Sequence, residues 1–130
     1  MSVYVISDGA GFVKIGLSSA PIQVRLKQLQ CGNARTLRLL YSFDTHGTQY
    51  YDRDLEHTLH KRYAEYRVSH DNYGPSEWFR DDCLDDIAHL EPDDIHEMMR
   101  GLALKRKSAC LDVQLYKHSE GRMTRINQRI

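Results

Sequence analysis

The amino-acid sequence predicts an α+β domain, and three observations carry that prediction. Two short β-branched runs near the start flank a glycine-rich turn, later segments repeat apolar residues at helical spacing, and 130 residues suit a single core. Apolar residues make up 41% and charged residues 28%, which is enough to fold around a modest interior and unlike a disordered composition.

Val3 to Ile6 and Phe12 to Ile15 enclose Ser7-Asp8-Gly9-Ala10-Gly11, whose Asp-Gly step and second glycine supply the positive φ angles of a hairpin loop. With Tyr4 opposite Lys14, Val3, Val5, Val13 and Ile15 share one face, and Tyr4, Ile6, Phe12 and Lys14 share the other. A slip of one residue would mix the two sets. This register also places a phenol beside an ammonium.

A helix follows, capped by Ser18 or Ser19, with Pro21 in its first turn, running to about Gln30 before Cys31-Gly32-Asn33 stops it. Ile22, Leu26 and Leu29 form its apolar stripe. Arg25 lies about 60° from Ile22 on the helical wheel, so its guanidinium is expected at the edge of the packed surface. A third strand is expected over 37–43. Asp52 or Asp54 opens a second helix to about Tyr66, with Leu55, Leu59, Tyr63 and Tyr66 inward, and Glu56 and His60, four apart, bordering that stripe. Residues 67–76 hold Asp, Asn, Gly and Pro and read as a loop before Glu77-Trp78-Phe79. Trp78 and Phe79 are expected to close the core, with base stacking as the lesser alternative, and Glu77 to act as a cap or ion-pair partner. Beyond Asp81, apolar spacing predicts two helices broken near Pro92, then a loosely held final dozen residues. The chain thus divides into residues 1–80 and a helical extension over 81–130 packed on the same domain.

Composition narrows the function. No apolar run approaches the ~20 residues of a membrane helix, and the N-terminus runs into a strand-like stretch without a signal-peptide pattern. Neither membrane insertion nor secretion is expected. Cys31, Cys83 and Cys110 are odd in number and widely spaced, which fits a reducing cytosol and neither a disulfide framework nor a thiolate zinc site. The net charge of zero hides a polarised chain. Residues 81–99 carry eight acidic side chains and no Lys or Arg, whereas residues 100–130 carry eight basic against two acidic. That tail suits either a polyanion or the acidic belt preceding it.

Tyr4 in a first strand, Lys14-Ile15-Gly16 after the turn, Arg25 in the next helix, Leu55-Glu56-His57-Thr58-Leu59-His60 and Glu77-Trp78-Phe79 occur in a particular order. That order resembles the GIY-YIG nuclease family, most closely its phage-associated T5orf172 branch, over residues 3 to about 79. The resemblance implies a small three-stranded antiparallel sheet flanked by helices, and an activity: metal-dependent endonucleolytic hydrolysis of DNA in a bacterial cytoplasm, encoded by a phage or mobile element. It implies that Glu56 holds one Mg²⁺ or Mn²⁺ as the sole protein carboxylate, that Arg25 clamps the scissile phosphate, and that Tyr4 activates or orients the attacking water. Lys14 stands where the family commonly has a second tyrosine, and would offer Tyr4 a charge partner. His60 resembles the histidine that follows the glutamate in this branch, and either it or Tyr4 could accept the proton.

A single small site implies nicking by a monomer, with double-strand cleavage left to a weak homodimer or a second encounter. Phosphate contacts are assigned to Lys27, Arg35 and Arg38 and to Lys105, Arg106 and Lys107 of the tail. Two other classes fit the same sequence: a catalytically inactive DNA-binding module, and a protein-interaction inhibitor whose acidic belt mimics DNA.

Overall fold

The computed structural model describes residues 2–46, 48, 50–70, 74–101 and 112–127. Its strands are β1 (Ser2–Ser7), β2 (Phe12–Ser18), β3 (Arg38–Asp44), β4 (Arg67–His70), β5 (Gly74–Arg80), β6 (Gln114–Ser119) and β7 (Arg122–Arg125). The helices are α1 (Ile22–Gln30), α2 (Asp52–Arg62), α3 (Leu84–Ala88) and α4 (Pro92–Met98), with short 3-10 turns at Ala64–Tyr66 and Asp81–Cys83. The seven described strands form one antiparallel sheet in the order β4-β5-β2-β1-β3-β6-β7.

This corrects the expected three-stranded sheet with a helical C-terminal extension. The central β2-β1-β3 unit is present, but a hairpin has been added at each edge. At one edge, β4 and β5 pair within the segment read as loop, whose Asp, Asn, Gly and Pro are equally the composition of a hairpin. At the other, β6 pairs with β3 and β7 closes the edge, within the basic tail of the extension read as helical. β7 is the edge strand and carries exposed side chains, and β6 beside it buries Leu115 alone, so neither shows the apolar alternation that identifies a strand. The last residues described are also anchored. Asn127 is fully buried, its amide donating to the Val113 carbonyl at 2.8 Å and its Oδ1 accepting the Leu115 N–H at 2.9 Å.

The β1–β2 register differs too: Tyr4 lies opposite Gly16, and Lys14 opposite Ile6. A shift of two residues preserves the faces, because side chains alternate with period two. Val3, Val5, Val13 and Ile15 accordingly form the main core with Leu55, Leu59, Phe79, Ile87 and Ile95 from the other elements. On the opposite face Tyr4, Ile6 and Leu37 form a second cluster, covered by Ile22, Leu26 and Leu29 of α1 and by Trp78. The sheet therefore lies between α1 and the α2–α4 layer.

Cap details also depart from expectation. Pro21 is itself the N-cap of α1, and the Ser18 hydroxyl donates to the Ala20 carbonyl at 2.7 Å instead of capping the helix. α2 ends at Arg62 rather than running unbroken to Tyr66. The break at Pro92 is where α4 begins, with Glu91 and Asp94 forming a capping box. Among the described residues part of the acidic belt is paired with nearby arginines. Asp86 binds Arg62 at 2.8 Å, Asp82 faces Arg80 at 3.7 Å, and Glu97 meets Arg100. No helix among the described residues is long and apolar enough to cross a membrane.

Candidate active site

The β2–β5 ladder runs only from Phe12–Arg80 to Lys14–Trp78, so the last part of β2 leaves its sister strand. The side chains singled out in the sequence gather around this divergence. Tyr4 comes from β1, Lys14 from β2, Arg25 from α1, and Glu56 and His60 from α2.

Tyr4 is 1% exposed, its ring lying across Gly16. A Cβ placed on Gly16 would sit 2.5 Å from Tyr4 Cζ, with the hydroxyl nearer still, so the strand must carry glycine there for the ring to take this position. Gly16 is not at positive φ; the requirement is for space. Burial pushes the phenol above its ordinary value, opposed by the Arg25 guanidinium as hydrogen-bond donor and positive charge, while Glu77 and Glu56 push it up. Arg25, Glu56 and Glu77 are therefore each within electrostatic reach of Tyr4. Arg25 also donates weakly to Gln28 Oε1 at 3.4 Å, and no ion pair joins it to Glu56 among the described residues.

Glu56 is half-buried at the flank of α2. Burial raises its carboxyl above the ordinary range, Glu77 raises it further by like-charge repulsion, and Arg53 and Lys14 oppose both. Lys14, expected beside the phenol, instead pairs with Glu77 at 3.5 Å. Glu77 thus bears out its reading as an ion-pair partner, while also contributing charge to the site.

His60 is buried, with both ring nitrogens engaged. Nε2 donates to the Ile15 carbonyl at 2.7 Å, just past the end of the β2–β5 ladder, and Nδ1 accepts from Arg67 Nη2 at 2.8 Å. A carbonyl can only accept and a guanidinium can only donate, so these two partners select the neutral Nε2–H tautomer. Burial likewise lowers the His60 pKa, against the hydrogen bond to Ile15. Arg67 lies over the Phe79 ring, 5.4 Å from its centroid, and its buried Nε has no partner. Sequence reasoning missed Arg67 because it opens the segment read as loop; the Asp, Asn and Gly that follow it in the sequence were the available signal for a hairpin.

The proposed phosphate contacts are dispersed. Lys27 is exposed in the last turn of α1, Arg35 faces Asp8 at 3.4 Å, and Arg38 is exposed at the start of β3. Lys105, Arg106 and Lys107 lie outside the described residues, as does Cys110.

Among the described residues no three His, Cys, Asp or Glu side chains converge as a metal cage. A half-buried carboxylate repelled by a second one fits a different kind of site: a hard, largely hydrated dication such as magnesium, held through one protein oxygen.

Residues 1–103 match the T5orf172 domain. The chain belongs to the T5orf172 domain family. No curated protein and no solved structure matches it. The T5orf172 match takes in every element from β1 to α4, and therefore all of the gathered side chains, but ends before the β6–β7 hairpin. That hairpin widens the sheet beyond the matched T5orf172 residues.

Proposed function

We propose that this T5orf172 protein is a GIY-YIG-type endonuclease that hydrolyses DNA phosphodiester bonds with a divalent metal ion, nicking one strand per encounter as a monomer. The supporting observation is that Arg25 of α1 and Glu56 of α2 both act electrostatically on Tyr4 of β1, whose ring lies across Gly16 where β2 has left β5.

In this reading Arg25 holds the scissile phosphate through its planar fork and balances charge that develops on the phosphoryl oxygens. Tyr4, kept protonated by burial, orients the attacking water by hydrogen bonding from the floor of the site and is not a phenolate base at neutral pH. His60 has its lone pair committed to Arg67 and so holds β2 and β4 in place beneath the site. Glu56 would hold one Mg²⁺ or Mn²⁺, which when bound would supply Lewis-acid stabilisation of the phosphate and of the departing 3′ oxygen. Lys14 keeps Glu77 paired and leaves Glu56 as the available carboxylate.

The test is relaxation of supercoiled plasmid with Mg²⁺ or EDTA, comparing wild type, Glu56→Ala and Arg25→Ala. Wild type should give metal-dependent nicked circles, and each variant should lose about 10²-fold or more in rate. Equal nicking by the variants, or cleavage in EDTA, would overturn the site. A retarded but intact plasmid on several DNA sequences would favour a binding module.

A further inference from the structure

A cleft of about 340 Å³ opens on the α1 side of the sheet, lined by Asp8, Phe12, Asn33, Arg35, Ser76 and Trp78 among others. Its volume falls at the small end of ligand-binding cavities. It adjoins the candidate active site through Trp78, which is opposite Lys14 in the β2–β5 ladder and packs against the cluster containing Tyr4.

The hydrogen-bonding state of the lining is one-sided. Asp8 is occupied: Oδ1 accepts from the Ala10 and Phe12 N–H groups at 2.8 and 3.2 Å, and Oδ2 faces Arg35 at 3.4 Å. Ser76 Oγ donates to the Val68 carbonyl at 2.9 Å and accepts the Trp78 N–H at 3.1 Å. Asn33 Oδ1 accepts the Arg35 N–H at 3.0 Å. What remains uncommitted among the described residues is a set of donors: the Asn33 side-chain amide, the Trp78 indole N–H and most of the Arg35 guanidinium, whose side chain is 56% exposed. Donors combined with two aromatic side chains, one of them the 37% exposed Phe12, match a flat ring with acceptors at its edge and an anion attached. A nucleobase with its adjoining phosphate has that chemistry.

We propose that this cleft seats one nucleobase of the bound DNA strand, its ring against Phe12 and Trp78, its edge acceptors toward Asn33 and the indole N–H, and its phosphate on Arg35. The subsite rests on the endonuclease reading but is measurable without cleavage, because Trp78 is the sole tryptophan of the chain. Full-length Glu56→Ala protein in EDTA is titrated with deoxyguanosine monophosphate and with a short single-stranded oligodeoxynucleotide while Trp78 emission is followed.

Both probes should quench saturably. In the same background Phe12→Ala and Arg35→Ala should each weaken the apparent affinity at least about fivefold, the scale of one lost stacking or charge-assisted contact, and Met123→Ala on the far hairpin should not. No saturable quenching, or quenching by the Phe12→Ala and Arg35→Ala variants with the affinity of their parent, overturns the subsite, as does quenching by the free nucleotide alone. Plasmid nicking by wild type without quenching would overturn the cleft and leave the nuclease standing. Quenching without nicking under any divalent metal would support the cleft and overturn the nuclease.

Discussion

Gly16→Ala tests whether Tyr4 is held where the fold places it. In an ordinary strand this change would stabilise by about 0.5–1 kcal/mol, because alanine loses less backbone entropy than glycine. Here the new methyl would lie 2.5 Å from Tyr4 Cζ and 3.0 Å from its neighbouring ring carbon, and the ring is enclosed by Ile6, Leu37 and the stripe of α1. Either β1 and β2 separate locally or the ring leaves its position, and overpacking of this kind costs about 1–3 kcal/mol. The assay is urea unfolding of a double-mutant cycle with Tyr4→Leu, which removes the ring. Gly16→Ala should destabilise wild type, become neutral or stabilising in the Tyr4→Leu background, and so show a coupling of about 1–3 kcal/mol. A coupling below about 0.5 kcal/mol would show that the phenol does not cover Gly16, and the placement of Tyr4 at the floor of the site would fall with it.

Three further outcomes are expected. Burial lowers the pKa of both His60 and His118, so each takes up a proton more readily when unfolded; their contribution to stability is full above the ordinary histidine value of ~6.5 and declines as pH falls below it. Urea midpoints should therefore drop from neutral pH toward pH ~5, and drop less in His60→Gln and His118→Gln, each measured against its own neutral midpoint. Because like-charge repulsion from Glu77 helps to raise the Glu56 carboxyl, metal-dependent nicking should fail on the acid side above the ordinary carboxylate range, and Glu77→Gln should move that limb to lower pH; an unmoved limb would separate the two carboxylates. Asn127→Ala should cost about 2–4 kcal/mol in urea unfolding, since it strands the buried backbone groups of Val113 and Leu115, and a near-neutral result would mean that the C-terminal hairpin is not anchored through this side chain.

Several parts of the fold were legible because a local rule decided them. The Asp8-Gly9 turn and the β-branched alternation around it identified the first hairpin and both of its faces, even though the pairing is displaced by two residues. Turn geometry sets the exact pairing, while alternation sets only which side chains go together. The three-residue and four-residue spacing of Ile22, Leu26 and Leu29, and of Leu55, Leu59 and Tyr63, identified the buried sides of α1 and α2. The added hairpins were not legible, because their outer strands β4 and β7 lie at the sheet edges, where a strand is stabilised by its neighbour's backbone and leaves little trace in its own side chains, and β6 buries only Leu115.

The sequence by itself determined the central β2-β1-β3 unit, the helix faces packed on it and the residue types available for chemistry, since periodicity and turn composition act over a few residues. Only the tertiary structure decided which of those residues meet. It assigned Lys14 to Glu77 rather than to Tyr4, engaged both nitrogens of His60, and brought in Arg67 from a segment with no regular pattern. The physical reason is that a pKa, a tautomer or an ion pair depends on what lies within a few ångströms in space, and here those partners arrive from strands and helices separated by long stretches of chain.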